Sequence, residues 1–593
     1  MVIENCAAHS FHIPVLGLGF SIDTPLKVAR YGISSVVSIV DDELIEDMRA
    51  FHLQQNGMAY MPIPDKEPNS RARRITAYLN LLVCLVEHQV ALMKTTRFAP
   101  GSDLYKYFEL LPETSALRRT FTDMLALEEG DEKERLQAQL KNALQAGSID
   151  VNIMAKVDNA RYAENGEKLA DEYSDAMSAL RGFAKSKLSG SVVFSAGYNP
   201  KLYSYLEHFS DFYPDEQHRL KKKIVLKVSD YRSALVQGKI LAKKGLWVSE
   251  FRIESGLNCG GHAFPTDGLL LGPILEEFKN NRKALQTELL SLCNHALTLK
   301  QQIAFVHPPS QKITVQGGVG TFAEHTFLLD YFELDSVGWG SPFLLVPEVT
   351  NVDEATLAQL ATARKEDFFL SNASPLGVPF NNFRISSSEA QRKARIGNNR
   401  AGSPCYKKYL CSDTEFSQTP ICTASRQYQH LKEQQLLNSG FSADIIQAGL
   451  EKVREKDCLC EGLGAPARLK NGISLPHKLS AVAICPGPNM AYFSGVFSLA
   501  GMVEHIYGRA NILNDRYRPH MFINELKMYI DYLKQKIDDD GILANNNQSR
   551  YYQKFGANLL KGIAYYRSII PLIQNQNFAE ELQYFEGVLV AML

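Results

Sequence analysis

The alternation of apolar and polar stretches predicts strands and helices in turn over much of the chain. Ile13-Pro-Val-Leu-Gly-Leu-Gly-Phe20 has strand length and ends in glycines. Pro25 then opens a helical pattern at a first-turn position, with Thr24 or Asp23 before it as a cap. Ile33–Val40 is a second strand, rich in β-branched residues and stopped by Asp41-Asp42. Strand, helix, strand within so short a span is the pattern of a parallel α/β sheet. Alternation resumes at residues 151–157 and 191–195, the latter followed by Ala196-Gly197. It continues through 223–228 and 247–253, then 313–315 and 336–339. Counted near residues 15, 35, 152, 192, 225, 249, 314 and 337, these are eight strands separated by helices, which specifies an α/β fold of the TIM (β/α)8 barrel type.

Two regions break the alternation. Residues 65–147 read as helix throughout, a helical insertion, and the charge run at Glu132-Lys133-Glu134-Arg135 reads as a solvated helix face. After about residue 365 the pattern becomes cysteine-containing and mostly helical. The resulting division is 1–64 for the barrel start, 65–147 for the insertion and 148–365 for the rest of the barrel. A Cys-rich region follows at 366–480 and a C-terminal helical region at 481–593.

Composition narrows the class of partner. Lys plus Arg (64) and Asp plus Glu (65) nearly cancel, so no net charge favours nucleic acid or an anionic membrane. No run reads as a membrane span, and no basic-then-apolar leader reads as a secretory signal, so a cytoplasmic location is expected. Of ten cysteines, Cys6, Cys84, Cys259, Cys293 and Cys485 are scattered, and the other five crowd between Cys405 and Cys460. Such clustering points to metal or redox chemistry more than to a disulfide framework.

Candidate chemistry sits at strand ends. The loops after the seventh and eighth strands of such barrels build phosphate sites. Here these loops are Gln316-Gly-Gly-Val-Gly-Thr321, directly before a helix, and Gly338-Trp-Gly-Ser341. Bare glycines let backbone N–H groups approach phosphate oxygens, and a helix start adds a positive dipole end. After the sixth strand, Asn258-Cys-Gly-Gly-His262 offers flat access to a ring and an imidazole that can exchange a proton near neutral pH. Among the clustered thiols, Cys405, Cys422, Cys458 and Cys460 are the candidate metal ligands, with Cys411 as the spare. A [4Fe–4S] cluster is the leading reading, and zinc or inert packing are the alternatives. Cys485-Pro-Gly-Pro-Asn489 reads as a turn.

Cys259-Gly-Gly-His262 with Leu270–Glu276, the two glycine loops and the Ile13–Phe20 segment together resemble the nitronate monooxygenase (2-nitropropane dioxygenase) family of FMN barrels. The overall layout is nearest to the trans-acting enoyl reductases of polyketide and polyunsaturated fatty-acid synthases. The similarity spans roughly residues 11–60 and 150–385 and is specific at three motifs. It implies FMN as cofactor and His262 as catalytic acid/base. Gly17, Gly19, Gly260, Gly261, Gly317, Gly318, Gly320, Gly338, Gly340 and Ser341 would lie against the cofactor, with Asn199 and Lys227 at strand ends near the flavin ring. The chain departs from the family in four extra residues between Glu254-Ser255 and Gly260, and in its long helical insertion. The implied activity is FMN-dependent reduction of an activated double bond in a small organic or acyl substrate. An electron donor or an acyl-carrier protein is a possible partner, and a homo-oligomer is expected. The alternatives are nitronate oxidation and a non-catalytic scaffold in a biosynthetic complex.

Overall fold

A computed structural model describes residues 8–593, except 68, 163, 164, 166, 196 and 541–545; Cys6 and Ala196 therefore lie outside the described residues. Eight parallel strands close into a barrel in chain order: β1 (Phe11–Ile13), β2 (Ser34–Ser38), β3 (Ile149–Met154), β4 (Gly190–Ser195), β5 (Lys222–Val228), β6 (Val248–Glu254), β7 (Lys312–Gln316) and β8 (Ser336–Gly338). Closure is made by β1 against β8, with His12 opposite Gly338. The chain thus forms a TIM barrel with a helical insertion and a helical C-terminal region.

The first strand lies earlier than its apolar run suggests. It ends at Ile13 because Pro14 has no N–H to continue the ladder. The apolar residues that follow form a loop over the barrel mouth.

Alternation along β6 turns Phe251 and Ile253 toward the outer helices and Glu250, Arg252 and Glu254 into the barrel. Inside, Arg252 pairs with Glu250 at 2.7 Å and Asp150 at 3.6 Å, all three buried. Val36, Val193 and Val225, with Val15 packed against them, form a small apolar cluster of their own. The three charges can be held inside the barrel because each meets an opposite charge.

Between β2 and β3 stand the helix Asp42–Gln55 and the inserted helices Ser70–Thr95, Asp103–Leu110, Ala116–Ala126 and Asp131–Asn142. Ser70–Thr95 is long and apolar enough to cross a membrane by length and composition. Here its Ile75, Tyr78, Leu79 and Leu82 are buried in the core. Its first turns are tied to the barrel rim by Arg71 and Arg74, which share the buried carboxylate of Asp42. After β8 an antiparallel hairpin, Phe368–Ser371 with Phe380–Phe383, lies over the barrel mouth. Three C-terminal helices, Met521–Asp540, Asn546–Ile569 and Phe578–Met592, pack together and against the long helix Leu271–Leu299.

Candidate active site

The C-terminal ends of the strands open into a cleft with about 1280 Å³ of unfilled space, its mouth included. The barrel floor contributes Ser38, Asn152, Met154, Ser195, Lys227 and Glu254. Two buried acceptors on this floor, Asn152 Oδ1 and Gln316 Oε1, have no hydrogen-bond partner among the described residues. Unpaired buried acceptors are costly, and a ligand carrying N–H or O–H donors would satisfy them.

His262 stands on the wall. Its loop is fastened to the hairpin: Ala263 N–H donates to Pro379 O, Asn381 N–H to Gly261 O, and Asn381 Nδ2 to Cys259 O at 2.7 Å. Phe380 packs edge-on against the imidazole, with ring centres 5.1 Å apart. The imidazole Nε2 lies 2.7 Å from Ser374 Oγ. Burial, and secondarily the nearby Lys227 ammonium, lowers the His262 pKa to about 4, so the ring is neutral at pH 7. Lys227 is itself held by Glu254 at 2.7 Å, whose other oxygen accepts from Gln316 Nε2.

The two glycine loops meet at one end of the cleft. Gly317 and Gly318 have φ of +116° and +81°, which L side chains rarely adopt. A Cβ on Gly317 would fall 2.5 Å from Cys259 Sγ, and one on Gly318 would fall 2.0 Å from Asn258 Nδ2. These glycines therefore let the histidine loop press directly onto the β7 loop. Gly338, paired with Gln316 on the neighbouring strand, brings Gly340 and Ser341 beside them, and Gly17, Gly260 and Gly261 complete the rim.

Three residues expected at the cofactor do not line the cleft. Asn199 caps the helix Pro200–Tyr205 by accepting from Leu202 N–H, and its amide donates to Ala155 O. Gly19 is needed where the backbone oxygens of Leu463 and Gly464 come close, and its N–H donates to Leu463 O. Gly320 makes room for the Arg518 guanidinium, which pairs with Glu324 and donates to Gly318 O.

One wall was not legible as a site. The segment read as a plain turn, Cys485–Asn489, crosses the end of the cleft where the two glycine loops meet. Gly487 N–H donates to Ser341 Oγ at 2.7 Å, Cys485 O accepts from Gly261 N–H, and Asn489 Nδ2 donates to Val319 O. Its proline-glycine spacing is an ordinary turn signal, and no local feature tells which loop it meets.

The clustered cysteines are free. Among the described residues no group of three or more His, Cys, Asp or Glu side chains is placed to hold a metal ion, so the set Cys405, Cys422, Cys458 and Cys460 gains no support as a metal or cluster site. Cys411, set aside as the spare, is instead the near neighbour of Cys405, with sulfurs 4.0 Å apart. Hydrogen bonds from the Cys411 and Cys422 thiols hold the Cys405 thiol well below its usual range. Between Cys405 and Cys411, Lys407 forms a buried ion pair with Asp41 at the end of β2, and Tyr409 donates to the same carboxylate. The cysteine loop is thus pinned to the barrel rim.

A closed parallel barrel with a large cleft at its C-terminal mouth, a neutral histidine on the wall and two adjacent glycine turns defines a small-molecule site of the kind such barrels use for catalysis. No family model and no curated protein matches the chain. Among solved structures, FabK from Thermotoga maritima is similar at 12% identity and a TM-score of 0.32, over 72% of this chain and 92% of that one. The enoyl reductase domain of MlnA, from the macrolactin biosynthesis cluster of Bacillus amyloliquefaciens, is similar at 12% identity and a TM-score of 0.30, over 74% and 89%. Likenesses this distant carry nothing about activity.

Proposed function

We propose that the cleft holds FMN and that the protein is a flavin-dependent oxidoreductase reducing an activated carbon–carbon double bond of a small organic or acyl substrate. The observation that carries this reading is the joining, at one cleft, of the β7 and β8 glycine turns with the His262 loop, over a floor where Asn152 Oδ1 and Gln316 Oε1 are unpaired among the described residues. Gly317, Gly318, Gly340 and Ser341 would take the phosphate, and Asn152, Gln316 and Lys227 the edge of the ring system. FMN would supply the hydride.

The chain's own residues handle the proton. Neutral His262 can give its N–H proton only to a strongly basic centre, such as the carbon of an enolate-like product, as neutral imidazoles do elsewhere. Ser374 Oγ, 2.7 Å from Nε2, stands to relay a replacement. The Lys227 ammonium, fixed by Glu254, lies near the ring and adds to burial in opposing its protonation.

The test is absorption and turnover of the purified chain. Bound flavin gives bands near roughly 370 and 450 nm. The reduced flavin should then be reoxidised by an enone or enoyl thioester, and His262→Ala should slow that step by about 10²–10⁴-fold while flavin stays bound. A colourless protein that takes up no FMN would overturn the reading. A flavoprotein that oxidises nitronates and leaves enones untouched would replace the substrate class.

A further inference from the structure

The histidine loop is held at both ends by one carboxyl from outside the barrel. Glu525 lies on the C-terminal helix Met521–Asp540 and is 1% exposed. Its Oε1 accepts from Ser255 Oγ at 2.5 Å, where the loop leaves β6. Its Oε2 accepts from Leu271 N–H at 2.8 Å, where the loop enters the helix Leu271–Leu299, and from Tyr566 OH at 3.4 Å. That helix has Leu270 at its cap position, which offers no side-chain acceptor, so Glu525 does the capping from another element. Ser255 Oγ in turn accepts from Asn258 N–H, four residues before His262.

We propose that Glu525 is a positioning residue for His262: its carboxyl clamps the loop 255–271 shut and weakens its hold as the proton is lost. The proposal rests on the role given to His262 above. The titratable groups around the carboxyl are Tyr529 on its own helix, Tyr566 from the helix Asn546–Ile569, and Cys259 from the loop. Burial raises all three, so each is neutral at pH 7 and none balances a negative charge. Among the described residues, the loop start after β6 and the helix Leu271–Leu299 contribute only the Ser255 hydroxyl and the Leu271 N–H. Burial therefore outweighs the three hydrogen bonds and lifts the carboxyl to about 7.

The sign follows from linkage. A loop that opens returns Glu525 to water and to an ordinary carboxyl pKa. The closed state then has its full advantage below the ordinary value of 4.5 and loses it as pH rises toward about 7. Between pH 6 and pH 8 this raises the opening constant about tenfold, with little further change above.

The test is hydrogen exchange of the full chain followed by mass spectrometry at pH 6, 7 and 8, corrected for intrinsic rates. Peptides covering residues 256–270 should show the tenfold rise in wild type. In Glu525→Gln, an uncharged isostere, they should show none. Tyr566→Phe removes one bond to the ionised form and should move the midpoint upward, which keeps the test decisive if Glu525→Gln folds poorly. Opening that is flat from pH 6 to pH 8 in wild type, or equally steep in Glu525→Gln, sinks the clamp. Because no turnover is read, failure of the flavin reading and failure of the clamp are separate results.

Discussion

Replacing Gly318 with alanine should cost far more than an added methyl group ordinarily does. The residue sits at φ +81°, where a non-glycine residue is strained by about 1–2 kcal/mol. The new Cβ would stand 2.0 Å from Asn258 Nδ2, so Asn258 must move. That amide donates to Met521 O at 3.1 Å, and its Oδ1 accepts from Asn524 Nδ2 at 3.0 Å, both within the buried joint between the histidine loop and the C-terminal helix. Losing them leaves buried groups unpaired, at about 1–3 kcal/mol. The sum is about 2–5 kcal/mol, a large part of the stability of an ordinary domain. Urea unfolding of wild type, Gly318→Ala, Asn258→Ala and the double variant measures it as a cycle. Asn258→Ala alone should lose the hydrogen bonds. Adding Gly318→Ala to it should then cost only the strain, giving a coupling of about 1–3 kcal/mol between the two sites. Additive effects, or a Gly318→Ala protein within about 0.5 kcal/mol of wild type, would refute the claim that this glycine exists to admit the histidine loop.

Three further expectations can be checked directly. Because burial and Lys227 hold His262 near 4, turnover should show no step at pH 6.5 from this residue; removing the neighbouring charge in Lys227→Met should move its titration upward, read by NMR of the imidazole. His12, His325 and His520 are buried and lowered to about 3, 4 and 4, so their contribution to stability is whole above pH 6.5 and falls below it. Each should cost about 2 kcal/mol by pH 5, and urea midpoints at pH 7.5 and pH 5 that coincide would contradict this. Iodoacetamide at pH 6 should alkylate Cys405 before Cys422 and Cys460, since only the first is held toward thiolate and is partly exposed; peptide mass mapping gives the order.

What was legible in the sequence was local. Short β-branched runs ended by glycine, proline or aspartate mark all eight strands, because strand formation depends on side-chain alternation over a few residues. Only the first was misplaced, by the apolar loop after Pro14. The glycine turns after β7 and β8 and Cys259–His262 were also readable, since their position at strand ends follows from chain order in a parallel barrel.

What the tertiary structure decided was which distant segments meet. Asn199 reads like a strand-end ligand but is spent on a helix cap. Gly19 and Gly320 read like cofactor glycines, but each yields space to a neighbour far along the chain, Leu463 in one case and Arg518 in the other. Ser374, Gly487 and Glu525 carry no motif. They reach the site because the hairpin, the Cys485–Asn489 segment and the C-terminal helix fold back over the barrel mouth. A turn or a cap is dictated by neighbours within a few residues. A contact across some 270 residues, such as Ser255 with Glu525, depends on how buried surfaces fit, and no short pattern records that fit.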